Sequence, residues 1–488
     1  MARARLQPGT VLDGFQIGRQ LHTGGMAMLW EVTHPDVSMP LLMKVPLLFE
    51  GEDPEAIVGF EMEQMILPRL KGPHVPQFVA LGDFSEQPYI VMEQIPGGSL
   101  LQRLPGLPLP APEVAELGAR IATALCDLHR QHVVHNDIKP SNILLRPSGE
   151  AVLVDFGLSR HDQLPDLLEE EFHIPIGTAP YMSPEQIRRN RGEPRSDLYS
   201  LGALLYFFAT GQRPFGDPRG QRAVNRRLWR DPEPPRGRNP GIPPWLQEVV
   251  LRCLEVDPAL RHPTAAQLAF DLQNPEQIEL TARSRKAQRD GFATALRRRL
   301  RSNAGRAHRG PGASAQALAA PIIVAAIDLD ARADTLAATM RETLARIIAT
   351  SDDARLACVH VLKTPRLAIE TTLDPDGRNK HVTRLVQLRH WAEPLRLGSE
   401  RTSFHVLESP DPAAALLDYA RVNHADHIVM AARSSSTLRR YLGSVSSEVV
   451  AHAPCTVTVV RVRQTARDAA ALETAPAGGS AAREAQTG

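Results

Sequence analysis

The run His135-Asn136-Asp137-Ile138-Lys139-Pro140-Ser141-Asn142, followed thirteen residues after Asn142 by Asp155-Phe156-Gly157, constrains this chain more than any other stretch. It gathers two carboxylates, an ammonium and an amide, which act together only when a rigid scaffold holds them at fixed separations. The chain supplies such a scaffold: 488 residues, 43% of them hydrophobic, are enough for two or three domains with their own cores. A formal net charge of +1 excludes a global electrostatic pull toward nucleic acid and leaves only local patches. Cys126, Cys253, Cys358 and Cys455 lie far apart with no CxxC pair, the pattern of buried thiols in a reducing compartment. No apolar run follows the basic residues at the start of the sequence, and nowhere do about eighteen apolar residues run together. The expectation is a cytoplasmic protein with no transmembrane segment.

Phosphoryl transfer explains the spacing. It needs little covalent help from protein; the site must position a hydroxyl, hold metal ions and neutralise charge developing on phosphate oxygens. Asp137 would orient the hydroxyl or accept its proton, Lys139 would reach the transferring phosphate, and Asn142 and Asp155 offer hard oxygens suited to Mg²⁺. These residues resemble the catalytic loop and Asp-Phe-Gly signature of the eukaryotic-like (Hanks-type) Ser/Thr protein kinases of bacteria. The resemblance implies an α+β bilobal protein kinase fold over residues 10–272, ATP and Mg²⁺ as cofactors, and protein substrates phosphorylated on Ser or Thr. It makes Asp137 and Lys139 catalytic and Asn142 and Asp155 the metal ligands.

The family's other positions follow in order. Leu21-His22-Thr23-Gly24-Gly25-Met26-Ala27-Met28-Leu29 is similar to the glycine-rich loop, with His22 and Ala27 replacing two of its three glycines. Lys44 closes the apolar run Leu41-Leu42-Met43 as the lysine that contacts the α/β-phosphates. Glu63, nineteen residues on, is its expected helix partner, with Glu61 the rival. Leu42 stands where the family usually has alanine and, with Leu21, Leu29 and Leu144, would enclose the adenine. Met92 takes the gatekeeper position, and backbone groups of Glu93 and Ile95 would face the base, so only position, not residue identity, matters there. The apolar positions Val114, Leu117, Ile121, Leu125 and Leu128 predict a long helix over Glu113–Gln131.

Asn136 departs most tellingly. Most family members carry arginine there, holding a phosphate on the activation segment. This segment has no Ser, Thr or Tyr between Ser159 and Thr178 and carries Glu169-Glu170-Glu171 instead. The expectation is a loop competent without phosphorylation. Gly177 to Glu185 resembles the family's P+1 segment, with Thr178 bonding near Asp137 and Lys139, Glu185 pairing with Arg261, and Asp197 holding the catalytic-loop backbone.

Residues 273–320 read as a basic flexible linker, with ten Lys or Arg against the single acid Asp290 between 281 and 310. Phe292, Leu296 and Leu300 would line a short amphipathic helix. A solvated linker, an anionic lipid surface, nucleic acid and the acidic activation segment all remain open as its use; autophosphorylation at Thr281, Ser284, Thr294 or Ser302 is a further expectation. From Pro321, strands at 322–327, 355–362, 403–407, 428–432 and 456–462 alternate with helices at 331–349, 381–393, 411–423 and 436–452. That alternation predicts an α/β doubly wound parallel sheet. Residues 321–462 resemble the universal stress protein family in Ala425-Asp426-His427-Ile428-Val429-Met430, Leu442-Gly443-Ser444-Val445-Ser446 and His452-Ala453-Pro454-Cys455. The resemblance implies a stress-sensing or homodimerising module, or an ATP site beside Asp328 in which Ser434, Ser435, Gly443 and Ser444 cradle an anion. Residues 463–488 read as a disordered tail. Because His22, Ala27 and Leu42 crowd the nucleotide roof, a nucleotide-sensing pseudokinase scaffold is the rival to an active Ser/Thr kinase.

Overall fold

A computed structural model describes residues 6–47, 54–172, 174–288, 321–330, 334–351, 354–364, 379–398, 401–432 and 444–461. Its first sheet contains β1 (Val11–Leu12), β2 (Phe15–Thr23), β3 (Ala27–His34), β4 (Val37–Pro46), β5 (Phe78–Gly82) and β6 (Tyr89–Glu93). The order is β1-β2-β3-β4-β6-β5, antiparallel throughout. Side chains alternate across it: Leu41, Met43 and Val45 of β4 join Trp30, Val32 and Val91 in one core, while Lys44 points the other way, toward the cleft. Helix α1 (Pro54–Ile66) is buried almost all round, Glu61 and Glu63 included, as a helix enclosed by neighbours must be.

The second lobe is helical. Its axis is α2 (Ala111–Arg130), in which Val114, Leu117, Ile121, Leu125 and Leu128 are all buried. Two short antiparallel pairs follow: β7 (Val133–Val134) with β10 (Arg160–His161), and β8 (Ile143–Leu145) with β9 (Ala151–Leu153). They fix the two ends of the loop at 135–142 and deliver Asp155 beside it. Then come α3 (Leu167–Glu171), α4 (Pro184–Ile187), α5 (Arg195–Thr210), α6 (Gln221–Val224), α7 (Pro235–Arg238), α8 (Pro244–Cys253), α9 (Ala265–Gln273) and α10 (Ala282–Arg285). Ser183 and Gln186 cap α4 reciprocally.

The beginning of the expected linker is ordered against this lobe. Arg283 pairs with Glu248 and Glu255, Lys286 with Asp231, and the Thr281 hydroxyl donates to Glu248. Residues 275–288 therefore extend the helical lobe: their charges meet acids of α8 and its surroundings, which a one-dimensional charge count does not register. Ser284 is buried, and Thr281 is engaged, so neither stands free for phosphorylation. Thr294, Ser302, the expected amphipathic helix and the tail 463–488 lie outside the described residues.

The second sheet comprises β11 (Ile322–Ala326), β12 (Arg355–Lys363), β13 (Thr402–Ser409), β14 (His427–Ala431) and β15 (Thr456–Val460). They alternate with α11 (Asp334–Ile348), α12 (Lys380–Ala392), α13 (Pro412–Val422) and α14 (Ser444–His452). All pairs are parallel in the order β13-β12-β11-β14-β15, the doubly wound arrangement expected, with the order reversing between β11 and β14. β11 is a nearly unbroken apolar run because helices cover both faces. Residues 433–443, which hold Ser434, Ser435 and Gly443 of the expected anion cradle, lie outside the described residues. The two halves of the chain touch: α3 packs against β13 and α13 as well as against α1. Among the described residues no helix is long and apolar enough to cross a membrane.

Candidate active site

Helix α1 and strand β4 bring Lys44 and Glu63 together, and the turn after β9 adds Asp155. Lys44 Nζ donates to Glu63 Oε2 at 2.5 Å and to Asp155 Oδ1 at 2.8 Å. Glu61 faces away, so the Lys44 partner is Glu63. Burial pushes the Glu63 carboxyl up while Lys44 opposes it, and the adjacent Lys44 ammonium holds Asp155 down to about 2. Burial works against the Lys44 charge, yet Asp155 and Glu63 raise its pKa above the usual lysine value. This hydrogen-bonded triad bridges sheet, helix and loop.

Close packing requires glycine here. A Cβ on Gly59 of α1 would lie 3.2 Å from the carbonyl oxygen of Gly157, and one on Gly157 would lie 3.2 Å from that of Gly59. The helix thus rests directly on the Asp-Phe-Gly backbone. Phe156 fills the space beneath, its ring 5.4 Å from that of His135, and its N–H donates to Glu63 Oε1 at 3.4 Å.

The loop 135–142 is tied from below by Asp197 of α5. This buried carboxylate accepts the N–H of His135 at 2.9 Å and of Asn136 at 2.8 Å, and His129 Nε2 lies 2.8 Å away. Asp137 then presents both oxygens to the cleft: Oδ1 accepts the Thr178 hydroxyl at 2.6 Å, and Oδ2 lies 2.6 Å from Lys139 Nζ and 3.0 Å from Asn142 Nδ2. Lys139 Nζ also donates to Thr178 Oγ1 at 3.2 Å. The N–H of Val154 donates to the Asn142 carbonyl at 3.0 Å, which sets the Asn142 backbone beside the residue preceding Asp155. Asn142 Oδ1 accepts the Ser141 hydroxyl at 2.9 Å, and Asp155 Oδ1 accepts from the Lys44 ammonium.

Above them, Leu21, Leu29, Leu42 and Leu144 are each half-buried, as walls of a cleft are, and Gly24 and Gly25 form the turn between β2 and β3. Met92 is buried at the back. The N–H of Glu93 donates to Gln77 O at 2.8 Å and that of Gln94 to Pro40 O at 2.9 Å. A base edge meeting Glu93 would thus meet its carbonyl, with Ile95 two residues beyond. Residue identity does matter at Glu93, contrary to the sequence expectation. Arg146, just past β8, grips its carboxylate with Nη1 at 2.5 Å and Nη2 at 2.8 Å, and this two-pronged bond holds the Glu93 pKa down. That clasp joins the two lobes at the hinge.

Asn136 has φ +64°, a left-handed conformation that asparagine tolerates better than most residues. Its side chain donates to the carbonyl of Arg191 at 3.1 Å. Arg191 in turn holds the activation segment: Nε donates to Asp166 Oδ2 at 2.9 Å, and Nη2 to Leu158 O at 3.0 Å. Sequence reasoning missed this pair, because Arg188-Arg189-Asn190-Arg191 looks like a solvated basic turn. The Glu185–Arg261 pair is present at 2.8 Å and fully buried.

Comparison with known proteins identifies two families along the chain. Residues 15–271 match the model of the protein kinase domain and residues 321–461 that of the universal stress protein family. The serine/threonine-protein kinase PknB of Mycobacterium leprae is 31% identical over 271 residues, 54% of this chain and 43% of that protein. PknL of Mycobacterium tuberculosis, also a serine/threonine-protein kinase, is 30% identical over 274 residues, 56% of this chain and 68% of that protein. A probable serine/threonine-protein kinase of Streptomyces coelicolor is 31% identical over 275 residues, 55% of this chain and 40% of that one. The chain thus spans about two fifths of PknB and about two thirds of PknL. Among solved structures, the PknI kinase domain of Mycobacterium tuberculosis aligns with 55% of this chain and 99% of its own at 23% identity and a TM-score of 0.44. With a kinase-domain match that takes in more than half of its length, the chain belongs to the protein kinase family and carries a universal stress protein domain after it.

Proposed function

We propose that the chain is an ATP- and Mg²⁺-dependent serine/threonine protein kinase whose activation segment works without phosphorylation. The observation that carries the first part is the joined set Lys44, Glu63 and Asp155, beside Asp137, Lys139, Asn142 and Thr178. Asp155 and Asn142 would hold Mg²⁺, since a depressed carboxyl and an amide oxygen suit a hard cation. The ion, when bound, neutralises charge on the phosphates. Lys44, fixed by Glu63, orients the α/β-phosphates. Asp137 already accepts a threonine hydroxyl at Oδ1, the contact a substrate Ser or Thr hydroxyl would make as its proton is drawn away. Lys139, between Asp137 and Thr178, supplies positive charge where the transferred group carries negative charge.

Radiolabelled ATP transfer by wild type and Asp137→Asn tests this: label with wild type alone is expected. Equal label, or none, would favour the scaffold reading. Support for the second part is the Arg191–Asp166 pair, which clamps the activation segment from within the lobe. Phosphatase treatment should leave activity intact; a loss traced to residues 158–183 would sink that reading. For the whole chain we keep two further readings, a homodimer through residues 321–461 and contact of the basic stretch 289–309 with anionic surfaces. Sedimentation of the full chain and vesicle co-sedimentation would show their absence.

A further inference from the structure

We propose that the C-terminal domain is an intramolecular activator, docked on α3 and α1 so as to hold the activation segment and the Lys44–Glu63 pair in place. The inference rests on the kinase reading above and names the regulator of that same site.

The glutamates that replace phosphorylatable residues are its anchor. Glu170 is buried among side chains of the second domain: Arg355 Nη2 of β12 at 2.6 Å, His405 Nε2 of β13 at 2.9 Å, Ser403 Oγ at 3.2 Å and Tyr419 Oη of α13 at 3.3 Å. Asn423 Nδ2 donates to the Glu170 main-chain carbonyl at 3.1 Å. Glu171 lies 3.6 Å from His405 Nδ1 and 3.7 Å from His381 Nε2 of α12. Burial opposes ionisation of Glu170, but His405 and Arg355 draw its carboxyl down to about 2. Four elements of one domain thus converge on two consecutive residues of the other.

The same domain reaches α1. Arg389 of α12 pairs with the buried Glu61, its guanidinium 5.6 Å from the centre of the Phe84 ring and 5.5 Å from that of Phe404. Phe84 in turn packs edge-on against Phe60 of α1, 6.0 Å between centroids. Positions 61 and 63 lie on roughly opposite sides of a helix with ~3.6 residues per turn. Lys44 therefore grips one side of α1 while Arg389 grips the other.

Neither element is expected to hold this geometry unaided. α3 has five residues, three of them consecutive glutamates, whereas isolated helices shorter than ~12–15 residues are marginal in water. α1 must keep Gly59 against Gly157 to keep Glu63 on Lys44. Docking would bias both elements toward the joined arrangement. The sign is activation because the docked state is the one in which Lys44, Glu63 and Asp155 are joined. These contacts fall on α3, on the outer side of α1 and on Phe84, which follows β5.

The test uses the full chain, radiolabelled ATP and dephosphorylated casein as acceptor, together with hydrogen exchange of segments 54–66 and 160–172. Arg389→Glu and Arg355→Glu should each lower the transfer rate ten-fold or more and raise exchange in those segments. The swap Glu61→Arg with Arg389→Glu should restore much of both. Unchanged or increased activity in the single variants would overturn the proposal, an increase meaning that the domain restrains the kinase. Asp137→Asn separates the two readings: if wild type transfers no more label than this variant, the kinase reading fails. The exchange measurement still decides docking in that case, since unchanged protection in Arg389→Glu and Arg355→Glu would refute it.

Discussion

Replacing Arg191 by alanine should be among the most damaging single changes outside the catalytic groups. Its guanidinium is nearly inaccessible and meets Asp166 at 2.9 Å, while also donating to the carbonyls of Leu158 and Ser159. Asp166 is itself buried and caps α3 through the N–H of Glu169. Removing one member of a buried ion pair typically costs ~3–5 kcal/mol, because the other charge is left uncompensated. Arg160 Nε, 3.8 Å from Asp166, stays behind and recovers on the order of 1 kcal/mol from its half-exposed position. A net loss of roughly 2–4 kcal/mol follows by these two terms. At ~2–4 °C per kcal/mol for a domain of this size, the melting temperature should fall by roughly 5–15 °C. The assay is thermal unfolding of wild type, Arg191→Ala, Asp166→Asn and the double variant. Asp166→Asn should rescue part of the loss in Arg191→Ala, since it removes the stranded charge, so the cycle is non-additive. If Arg191→Ala melts within about 2 °C of wild type (under ~1 kcal/mol) and the cycle is additive, the clamp does not hold the segment.

Three other outcomes are open to measurement. Glu93→Gln removes the charge of the Arg146 clasp; the KM for ATP should rise several-fold with kcat nearly unchanged, and a fall in kcat alone would exclude a hinge role. Gly59→Ala gains ~1 kcal/mol of helix propensity but sets a methyl 3.2 Å from the Gly157 carbonyl oxygen. Activity should drop by ten-fold or more while the melting temperature barely moves, and unaltered activity would show that α1 does not rest on that backbone. Docking should depend on pH through His405, which faces Glu170 and Glu171 of α3, with Arg355 and Tyr419 also on Glu170 and His381 also on Glu171. Burial lowers the His405 pKa, but the two carboxylates raise it from 6.5 to about 9, so the docked state binds the proton more tightly. That contribution is complete below pH ~6.5 and lost as the pH rises through about 9, at most on the order of 3 kcal/mol. Corrected for the intrinsic rise of amide exchange with pH, the protection of residues 160–172 should fall across that window in wild type and stay flat in His405→Gln; equal slopes would reject the assignment.

The proposed catalytic groups were legible in the sequence because their spacing is local or tied to single elements. Asp137, Lys139 and Asn142 share one loop, and the period of α2 announces itself in five apolar residues. Glu63 was harder, since α1 is buried on nearly every side and Glu61 and Glu63 differ only in which partner each meets. What stayed hidden were pairs between distant residues whose local context looks like surface. Arg191 sits in a basic turn, Arg146 follows a strand end, and Arg283 lies in a run of like charge. A charge reads as solvated until the fold supplies its counter-ion, and the counter-ion of Glu170 is 235 positions away at His405.

The activation segment gives the farthest-reaching case. Three consecutive glutamates stand in a loop without hydroxyl groups, and no arginine at position 136 receives them. Position 136 is asparagine in a left-handed backbone, bonded to the Arg191 carbonyl, and Arg191 is spent on Asp166. The kinase lobe has thus satisfied its own segment at Asp166 and left Glu170 and Glu171 to face outward, where burying them uncompensated would cost several kcal/mol per charge. Arg355, His405 and His381 meet that demand from the second domain. Glu170 and Glu171 thereby make the loop part of the surface on which the C-terminal domain rests.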